Sequence, residues 1–332
     1  MPHSVLVTDF AWPDLDIERE ILASVGAELV VAATGEQAEL LDLAPGVDAI
    51  LTCWKPVTGD VLRAAGHCRT VARYGVGLDN IDVNAATELG IVVSNVPEFC
   101  TSEVADHTMA LVLAHARHIA RFAEATAAGE WDNKAFGPMR RLRGRVFGLV
   151  GYGHIARAVA RRALAFGYDV VAYSPSRAGS AARDGVRFAP DLHALLEQAD
   201  VVSLHLPLSP QTRHVIGKVE LAAMKRGAVL VNTARGALVD QNALVDALRG
   251  GQLGGAALDV QDPEPPGEVS PFANIPTVLL TPHAAFDSVE AIAELQETAA
   301  RNVAAVLAGG LPGTIVNPRV LETPVLRTSV PA

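Results

Sequence analysis

The sequence predicts an α/β protein built from two doubly wound parallel sheets. Short β-branched runs alternate with amphipathic helical patterns along the chain, which is typical of parallel sheets covered by helices on both faces. At 332 residues the chain is longer than one typical domain, and its 50% hydrophobic content is sufficient for two cores. The β-branched runs fall into two blocks, so we expect two domains.

The first block predicts five strands separated by helices such as Leu15–Ser24 and Gly59–Ala65. These strands are SVLVTD, AELVVAA, AILTC, TVARYG and IVVSN. The second block predicts six more strands in the same alternation with helices. They are RVFGLVG, DVVAYS, DVVSLHL, AVLVNT, GAALDV and TVLLTP.

Between the blocks, SEVADHTMALVLAHARHIARFAEA has the pattern of one long helix. Thr101 or Ser102 is the expected N-cap, and Glu103 lies in the first turn, where the helix dipole favours an acid. A second helix pattern follows the last strand and leads into a proline-rich tail. We expect that helix and tail to return to the first domain, which gives a discontinuous domain of residues 1–100 and 285–332 around a second domain of residues 101–284.

Charge and cysteine content narrow the class of function. The net charge is −10 and no lysine-rich tract occurs, which argues against a nucleic-acid or anionic membrane surface and favours a small polar substrate. Cys53, Cys68 and Cys100 are odd in number and lack metal-ligand spacing, so we expect reduced, buried thiols and no metal site. The N-terminus resembles no signal peptide, and no apolar run approaches the ~20 residues of a membrane span, so the expected location is cytoplasmic.

The segment RVFGLVGYGHIARAVARRALAFG reads as a strand, a tight turn and a helix. Gly151 suits the turn, Gly153 allows the backbone to approach a pyrophosphate, and Ala156 is small enough for a helix against a strand. The backbone N–H groups at His154 and Ile155, where the helix begins, are expected to bind phosphate. A glycine turn made for packing alone is the alternative. The strand DVVAY that follows the helix favours a dinucleotide-binding unit.

The stretch DVVAYSPSR lacks the acidic residue that usually accepts hydrogen bonds from the adenosine ribose. Ser174 stands at that place, followed by Pro175, Ser176 and Arg177. Hydroxyl groups and a guanidinium can bind a ribose 2′-phosphate, whereas an acid would repel it. NADP is therefore favoured over NAD. The alternative is NAD, with Arg177 as an ordinary solvated side chain.

Three charged side chains follow three later strands. They are Arg235 in VNTARGALVD, Glu264 in ALDVQDPEPP and His283 in LLTPHAAF. An α/β sheet binds its ligands beyond the carboxyl ends of its strands. Each of these residues alone could be structural or solvated, but the succession of three indicates a site.

At this point the chain resembles the D-isomer-specific 2-hydroxyacid dehydrogenases over nearly its whole length. The resemblance lies in RYGVGLDNID, NVPEFCTSEVADH, GYGHIA, HLPLSPQTRHVI, MKRGAVLVNTARGALVD, GAALDVQDPEPP and TPHAAF, in this order. It implies a flavodoxin-like substrate domain and a Rossmann cofactor domain with a cleft between them. It also implies hinges near residues 95–100 and 284–287, and NAD(P)-dependent interconversion of a 2-oxoacid and a D-2-hydroxyacid.

The resemblance implies a role for each charged residue at the strand ends. Arg235 would bind the substrate carboxylate and polarise the 2-oxo group, a task that suits a planar guanidinium. His283 would be the general acid and base, and Glu264 would orient its imidazole. The nicotinamide supplies the hydride, so the protein provides positioning and electrostatics.

The resemblance also implies the remaining contacts. The backbone N–H groups of Val76 and Gly77 would bind the substrate carboxylate, although a simple turn is the alternative. Trp54 and Lys55 would face the cleft, where Lys55 either meets a second anionic group of the substrate or is solvated. The implied cofactor contacts, besides the phosphate turn and the segment after DVVAY, are Thr108, Pro207, Thr212, Thr233, Ala234, Asp259 and His283. The family's usual Glu before His in the helix motif is Asp106 here, which we interpret as a packing or hinge change.

Two alternatives stay open. HAAFDSVEAI and ALDVQDPEPP resemble the branch with the C-terminal-binding-protein corepressors more than the phosphoglycerate dehydrogenases, which suggests a dinucleotide-gated scaffold. Formate and phosphite dehydrogenases share the fold, although Val76 brings no charge for phosphite. At 332 residues, we do not expect the C-terminal regulatory module of the allosteric phosphoglycerate dehydrogenases. The family also implies a homodimer formed through the arm that contains Trp131 and Phe136, while the identity of the 2-oxoacid and the physiological direction stay open.

Overall fold

The structure is a computed structural model that describes residues 2–328. The chain divides into two compact units, Met1–Phe99 with Ser288–Ala332 and Cys100–Asp287. Each unit contains one parallel sheet with helices between its strands. The predicted fold class, two parallel-sheet α/β domains, is confirmed.

The first unit contains a five-stranded parallel sheet in the order β2-β1-β3-β4-β5, so all five predicted strands are present. The strands are β1 (His3–Val7), β2 (Ala27–Val31), β3 (Ala49–Thr52), β4 (Thr70–Arg73) and β5 (Val92–Ser94). The helices are α1 (Asp16–Ala23), α2 (Gln37–Leu43), α3 (Gly59–Ala64), α4 (Val83–Glu88) and the last helix of the chain, α11 (Val289–Leu307). The central strands β3 and β4 are buried along their whole length, as expected of parallel strands covered on both faces.

The segment after α11 is bound to the edge of this sheet. Val316 N–H donates to Val93 O at 2.8 Å, and Val93 N–H donates to Asn317 Oδ1 at 2.8 Å. Asn317 Nδ2 in turn donates to Ile91 O at 2.9 Å and to Thr87 Oγ1 at 3.0 Å. The amide of Asn317 therefore replaces the strand partner that β5 would lack at the edge.

The second unit contains a seven-stranded parallel sheet in the order β12-β11-β10-β9-β6-β7-β8. The strands are β6 (Val146–Val150), β7 (Asp169–Tyr173), β8 (Val186–Phe188), β9 (Val201–Leu204), β10 (Ala228–Asn232), β11 (Leu253–Leu258) and β12 (Val278–Leu280). The helices are α5 (Thr101–Ala116), α6 (Ile119–Ala127), α7 (His154–Ala165), α8 (Leu192–Leu196), α9 (Lys218–Ala223) and α10 (Gln241–Arg249). Six of these strands were predicted; β8 was missed because its sequence VRF has an exposed arginine in the middle and so contains no β-branched run.

The long helix predicted between the two blocks is divided in two. Helix α5 has Cys100 as its N-cap, one residue before the predicted Thr101, and it ends at Ala116. His118 then takes a left-handed conformation with φ 53° and begins α6. A left-handed residue cannot continue an α-helix, so the chain changes direction there.

None of the helices within residues 2–328 combines the length and the apolar composition that crossing a bilayer would require.

We predict that Asn317→Ala lowers the free energy of unfolding by about 2–4 kcal/mol, because it leaves two buried backbone groups, Val93 N–H and Ile91 O, without partners. Urea unfolding followed by circular dichroism measures the change. Glu322→Ala, an exposed position in the same tail, is the control and should stay within about 0.5 kcal/mol of the original chain. Equal effects of the two substitutions would contradict this role of the tail.

Candidate active site

The glycine turn joins β6 to α7 and has the geometry of a phosphate-binding turn. Gly151 has φ 96°, and a Cβ there would lie 2.4 Å from His205 O, so no other residue fits. A Cβ on Gly153 would meet no atom within 4 Å, which leaves space for an approaching ligand. Helix α7 begins at His154 and buries Ala156 completely against the sheet. The first N–H groups of α7 and the positive end of its dipole are therefore available to a pyrophosphate.

His205, which the sequence analysis did not single out, lies next to this turn, because its carbonyl oxygen is the atom that a Cβ on Gly151 would meet. His205 is partly buried, and one ring nitrogen lies 2.9 Å from Ser203 Oγ. Burial lowers the pKa of His205 to about 4, so the imidazole is neutral at physiological pH. A neutral ring leaves no competing positive charge behind the turn.

The donors expected at the adenosine ribose lie together directly after β7. Ser174 Oγ and Ser176 Oγ are 3.2 Å apart in a short 3-10 turn, and the Arg177 guanidinium lies 5.8 Å from the ring centroid of Phe188. This distance allows a cation–π interaction between Arg177 and Phe188, in the same segment as the two hydroxyls. The segment 174–178 contains no carboxylate, so no side chain in it would repel an anionic ligand.

The loop after β9 contains Pro207 and Thr212, and the structure brings them together. Thr212 Oγ1 donates to Pro207 O at 2.7 Å, and it accepts from Ser209 N–H at 2.8 Å. The hydroxyl of Thr212 therefore fixes the loop itself. Thr212 would therefore affect cofactor binding indirectly, through the conformation of this loop.

Arg235, Glu264 and His283 follow β10, β11 and β12, which are neighbours in the sheet. His283 Nδ1 lies 2.7 Å from Glu264 Oε2, and both side chains are partly exposed. Glu264 Oε1 also accepts from Gln261 N–H at 2.8 Å, so the carboxylate is held by its own loop. With Nδ1 directed at the carboxylate, His283 Nε2 would be the ring atom available for proton transfer.

The backbone brings Arg235 next to the loop that contains Glu264. A Cβ on Gly236 would lie 1.9 Å from Gln261 O, so the two segments touch at the glycine. Asn232 Nδ2 donates to Arg235 O at 2.8 Å, and Arg235 Nη1 donates to Ala234 O at 2.7 Å. These bonds orient the guanidinium at the carboxyl end of β10.

Asp259 determines the conformation of the turn that presents His283. Its carboxylate is 1% exposed and accepts from the backbone N–H groups of Ala284 at 2.9 Å and Ala285 at 3.0 Å and from Thr281 Oγ1 at 2.5 Å. His283 N–H donates to Asp259 O at 2.8 Å, and His283 has φ 53°. The sequence predicted Asp259 as a cofactor contact and missed this positioning role.

Partly buried His107 of α5, which the sequence analysis also did not select, contacts this turn. His107 Nε2 lies 3.0 Å from Thr281 Oγ1 and 3.5 Å from Asp259 Oδ1. Thr108 is the next residue on the helix, and its Oγ1 lies 2.9 Å from Thr233 Oγ1. The structure therefore brings the predicted pair Thr108 and Thr233 together, at the end of β10 and two residues before Arg235.

In the first unit, the predicted carboxylate-binding segment follows β4. Gly75 has φ 140°, and its carbonyl accepts from Val96 N–H at 3.0 Å. Asn95 Nδ2 donates to Val76 O at 2.8 Å. In a trans peptide the N–H points away from the preceding carbonyl, so the Gly77 N–H is directed away from Asn95.

The turn after β3 contains Trp54 and Lys55. The Trp54 side chain is 42% exposed, and Lys55 Nζ lies 2.7 Å from Glu36 Oε1. A second anionic group on a substrate would therefore compete with Glu36 for the ammonium group of Lys55.

Within residues 2–328, a nucleophilic thiol would have to be one of the cysteines, and a metal site would need a group of metal-binding side chains. Cys53, Cys68 and Cys100 are buried free thiols, and burial raises the pKa of Cys53 and of Cys68 to about 12. A thiol with such a pKa stays protonated and is a poor nucleophile. Across residues 2–328, histidine, cysteine and acidic side chains form no group of three that could hold a metal ion.

Comparison with known proteins identifies the family. Residues 109–285 match the family described as D-isomer specific 2-hydroxyacid dehydrogenase, NAD binding domain. The chain is 42% identical over 272 residues to a glyoxylate reductase of Korarchaeum cryptofilum, covering 80% of this chain and 81% of the relative. It is 39% identical over 315 residues to a D-3-phosphoglycerate dehydrogenase of Methanocaldococcus jannaschii, covering 94% of this chain but only 59% of that longer protein.

A solved structure extends the comparison to the whole chain. The NADPH-dependent glyoxylate/hydroxypyruvate reductase of Sinorhizobium meliloti, in complex with NADP and malonate, superposes with a TM-score of 0.83 at 28% identity and covers 100% of both chains. Together with the match to the NAD-binding domain, this establishes the cofactor class as NAD(P). The chain belongs to the D-isomer-specific 2-hydroxyacid dehydrogenase family and is an NAD(P)-dependent oxidoreductase.

Proposed function

We propose that this protein reduces small 2-oxoacids of the glyoxylate and hydroxypyruvate class to D-2-hydroxyacids. The 2.7 Å contact between His283 and Glu264, beside Arg235 at the neighbouring strand end, is the observation that carries the proposal. A hydrogen-bonded imidazole next to a guanidinium suits the protonation of an oxyanion on an anionic substrate. Relatives named glyoxylate reductase and hydroxypyruvate reductase support this substrate class.

In the proposed reduction, the bound nicotinamide supplies a hydride to C2 of the oxoacid. Arg235 binds the substrate carboxylate and polarises the 2-oxo group, so that charge developing on the oxygen is stabilised. His283 Nε2 donates a proton to that oxygen, and Glu264 holds Nδ1 and stabilises the imidazolium before transfer. The oxidation runs through the same residues in reverse, with His283 Nε2 as the base.

We infer that the first unit binds the substrate carboxylate through the N–H groups of Val76 and Gly77. Consecutive glycine-flanked amides form an anion nest, and the bond from Asn95 to Val76 O holds the peptide between them in one orientation. Val76 is 38% exposed, so the segment is accessible to a small ligand.

The proposed cofactor preference is NADP over NAD. Ser174, Ser176 and Arg177 would hold the ribose 2′-phosphate, because their hydroxyls and guanidinium are the donors gathered at the end of β7. Gly151, Gly153, His154 and Ile155 would hold the pyrophosphate at the start of α7.

The proposed assembly is a homodimer formed through α6 and the arm that follows it. Helix α6 buries none of its residues within the chain, and Trp131 is 92% exposed. Phe122 and Phe136 lie 5.0 Å apart, with Arg121 4.0 Å above the Phe136 ring. An aromatic surface of this kind on a folded chain is typical of an interface.

We expect Arg235→Ala to lower kcat/KM for glyoxylate about 100- to 1,000-fold, the loss typical of removing one donor to a developing oxyanion. Glu264→Gln should also lower kcat/KM, because the amide replaces the carboxylate that holds His283 Nδ1. Steady-state kinetics with glyoxylate measure both effects. Glu268→Gln, an exposed acid in the same loop, is the control and should change neither. Unchanged rates in Arg235→Ala would contradict the proposed reaction.

For the cofactor, Ser174→Asp and Arg177→Ala should each weaken NADPH binding about 10- to 100-fold, since each loses or repels a charged phosphate contact. Binding of NADH should change much less. Fluorescence titrations with both cofactors measure the ratio. Arg183→Ala, an exposed arginine in the same region, serves as the matched control. A preference for NADH in the original chain, kept in both variants, would overturn the NADP assignment.

Light scattering should give a mass about twice the 34.8 kDa of one chain. A double substitution of Ile119→Glu and Phe122→Arg should shift the protein to monomers, because it places charges on the apolar face of α6. Val219→Glu, at an exposed apolar position on α9, should leave the mass unchanged. A monomeric original chain would rule out the homodimer.

A further inference from the structure

We propose that Asp9 and Asn80 position the turn of residues 53–55, here named the Trp54 turn, and thereby select the group on C3 of the oxoacid. The inference rests on the proposed 2-oxoacid reductase function. Asp9 and Asn80 are positioning residues in this proposal, and the Trp54 turn is the surface that faces the C3 group.

Asp9 binds the Trp54 turn through its backbone N–H groups. Its Oδ1 accepts from Cys53 N–H at 3.0 Å and from Lys55 N–H at 3.2 Å, and its Oδ2 accepts from Trp54 N–H at 2.8 Å. Three successive N–H groups that converge on one anion form a nest. Here the anion is a carboxylate of the chain itself, two residues beyond the end of β1.

Asn80 binds the same turn through its carbonyl groups. Its Nδ2 donates to Cys53 O at 3.2 Å and to Lys55 O at 3.1 Å. Thr52 Oγ1 also donates to Lys55 O, at 2.9 Å. Because donors and acceptors of the turn are both engaged, the backbone of Trp54 cannot rotate without breaking several hydrogen bonds.

The Trp54 turn lies beside the segment that is proposed to bind the substrate carboxylate. Strands β3 and β4 are paired in parallel, with Thr52 opposite Arg73, and Tyr74 N–H donates to Thr52 O at 2.8 Å. The residues that follow these strands, Trp54 on one side and Val76 on the other, therefore leave the same edge of the sheet next to each other. Asn80 joins them, because it belongs to the loop that begins at Gly75 and bonds to the Trp54 turn.

This arrangement makes a chemical distinction between substrates. The C3 atom of a 2-oxoacid is only two bonds from the carboxylate carbon, so a group on C3 lies within reach of the neighbouring turn. Glyoxylate has no C3 atom. The position of the Trp54 turn should therefore affect oxoacids that carry a C3 group and leave glyoxylate nearly unaffected.

Asp9→Asn tests the proposal with a nearly isosteric change. An amide has one acceptor oxygen, so at least one N–H group of the turn must face an NH2 group in place of an oxygen. We expect the ratio of kcat/KM for hydroxypyruvate to kcat/KM for glyoxylate to change about tenfold, mostly through KM, while kcat/KM for glyoxylate stays within about threefold. Asn80→Asp, which turns a carboxylate towards two carbonyl oxygens, should change the ratio in the same direction.

Two further variants make the outcome decisive. Trp54→Ala should change the ratio in the same direction as Asp9→Asn, whereas Asp42→Asn, which removes an exposed carboxylate on α2, should not change it. Hydrogen exchange of the peptide covering residues 52–56 should be faster in Asp9→Asn than in Asp42→Asn.

Each remaining outcome overturns the inference. An altered ratio in Trp54→Ala with an unaltered ratio in Asp9→Asn would show that Asp9 does not position the turn. Normal turnover with no altered ratio in any variant would show that the turn does not face the C3 group. If the original chain reduces neither acid, the proposed function itself fails, and that result is distinct because it requires no variant.

Discussion

The proposed catalytic arrangement depends on the hydrogen bonds that the buried carboxylate of Asp259 accepts from the turn after β12. Removing a charge from water is costly, and here backbone and hydroxyl donors on the turn after β12 offset that cost. In return, they hold His283 in a left-handed conformation that a non-glycine residue rarely adopts. Because the backbone of His283 is fixed in this way, its Nδ1 meets Glu264 and its Nε2 is left for the substrate.

Both units use the same consequence of parallel pairing. In the second unit, three adjacent strands end together and deliver Arg235, Glu264 and His283 to one edge. In the first unit, the segments after β1, β3, β4 and β5 meet at one edge and are joined by hydrogen bonds of Asp9, Asn80 and Asn95. Strands of a parallel sheet point the same way, so residues distant in sequence converge wherever their strands end.

The sequence revealed the residues whose chemistry is visible in their type and context. Arg235, Glu264 and His283 each follow a recognisable strand, and the carboxyl ends of parallel strands lie at one edge of the sheet, so a shared site could be predicted. The bonds of Asp9 to Cys53 and Lys55 span 44 and 46 residues, and no local pattern reports which N–H group a carboxylate accepts from. The division of the long helix at His118 was equally invisible, because the apolar pattern continues through it and only the backbone conformation changes.

At the positions of Asp9 and Asp259 a carboxylate suits the hydrogen bonds of the turn better than an amide, although the two groups have almost the same shape. Each side chain accepts at least three hydrogen bonds from its turn, shared between two oxygens. Asparagine would present one oxygen and one NH2 group, and the NH2 group would face a backbone N–H that needs an acceptor. Asp9 and Asp259 are thus used to shape turns. Glu264 remains the carboxylate paired with the imidazole of His283, which separates the groups that hold the proposed site from the groups that transfer its proton.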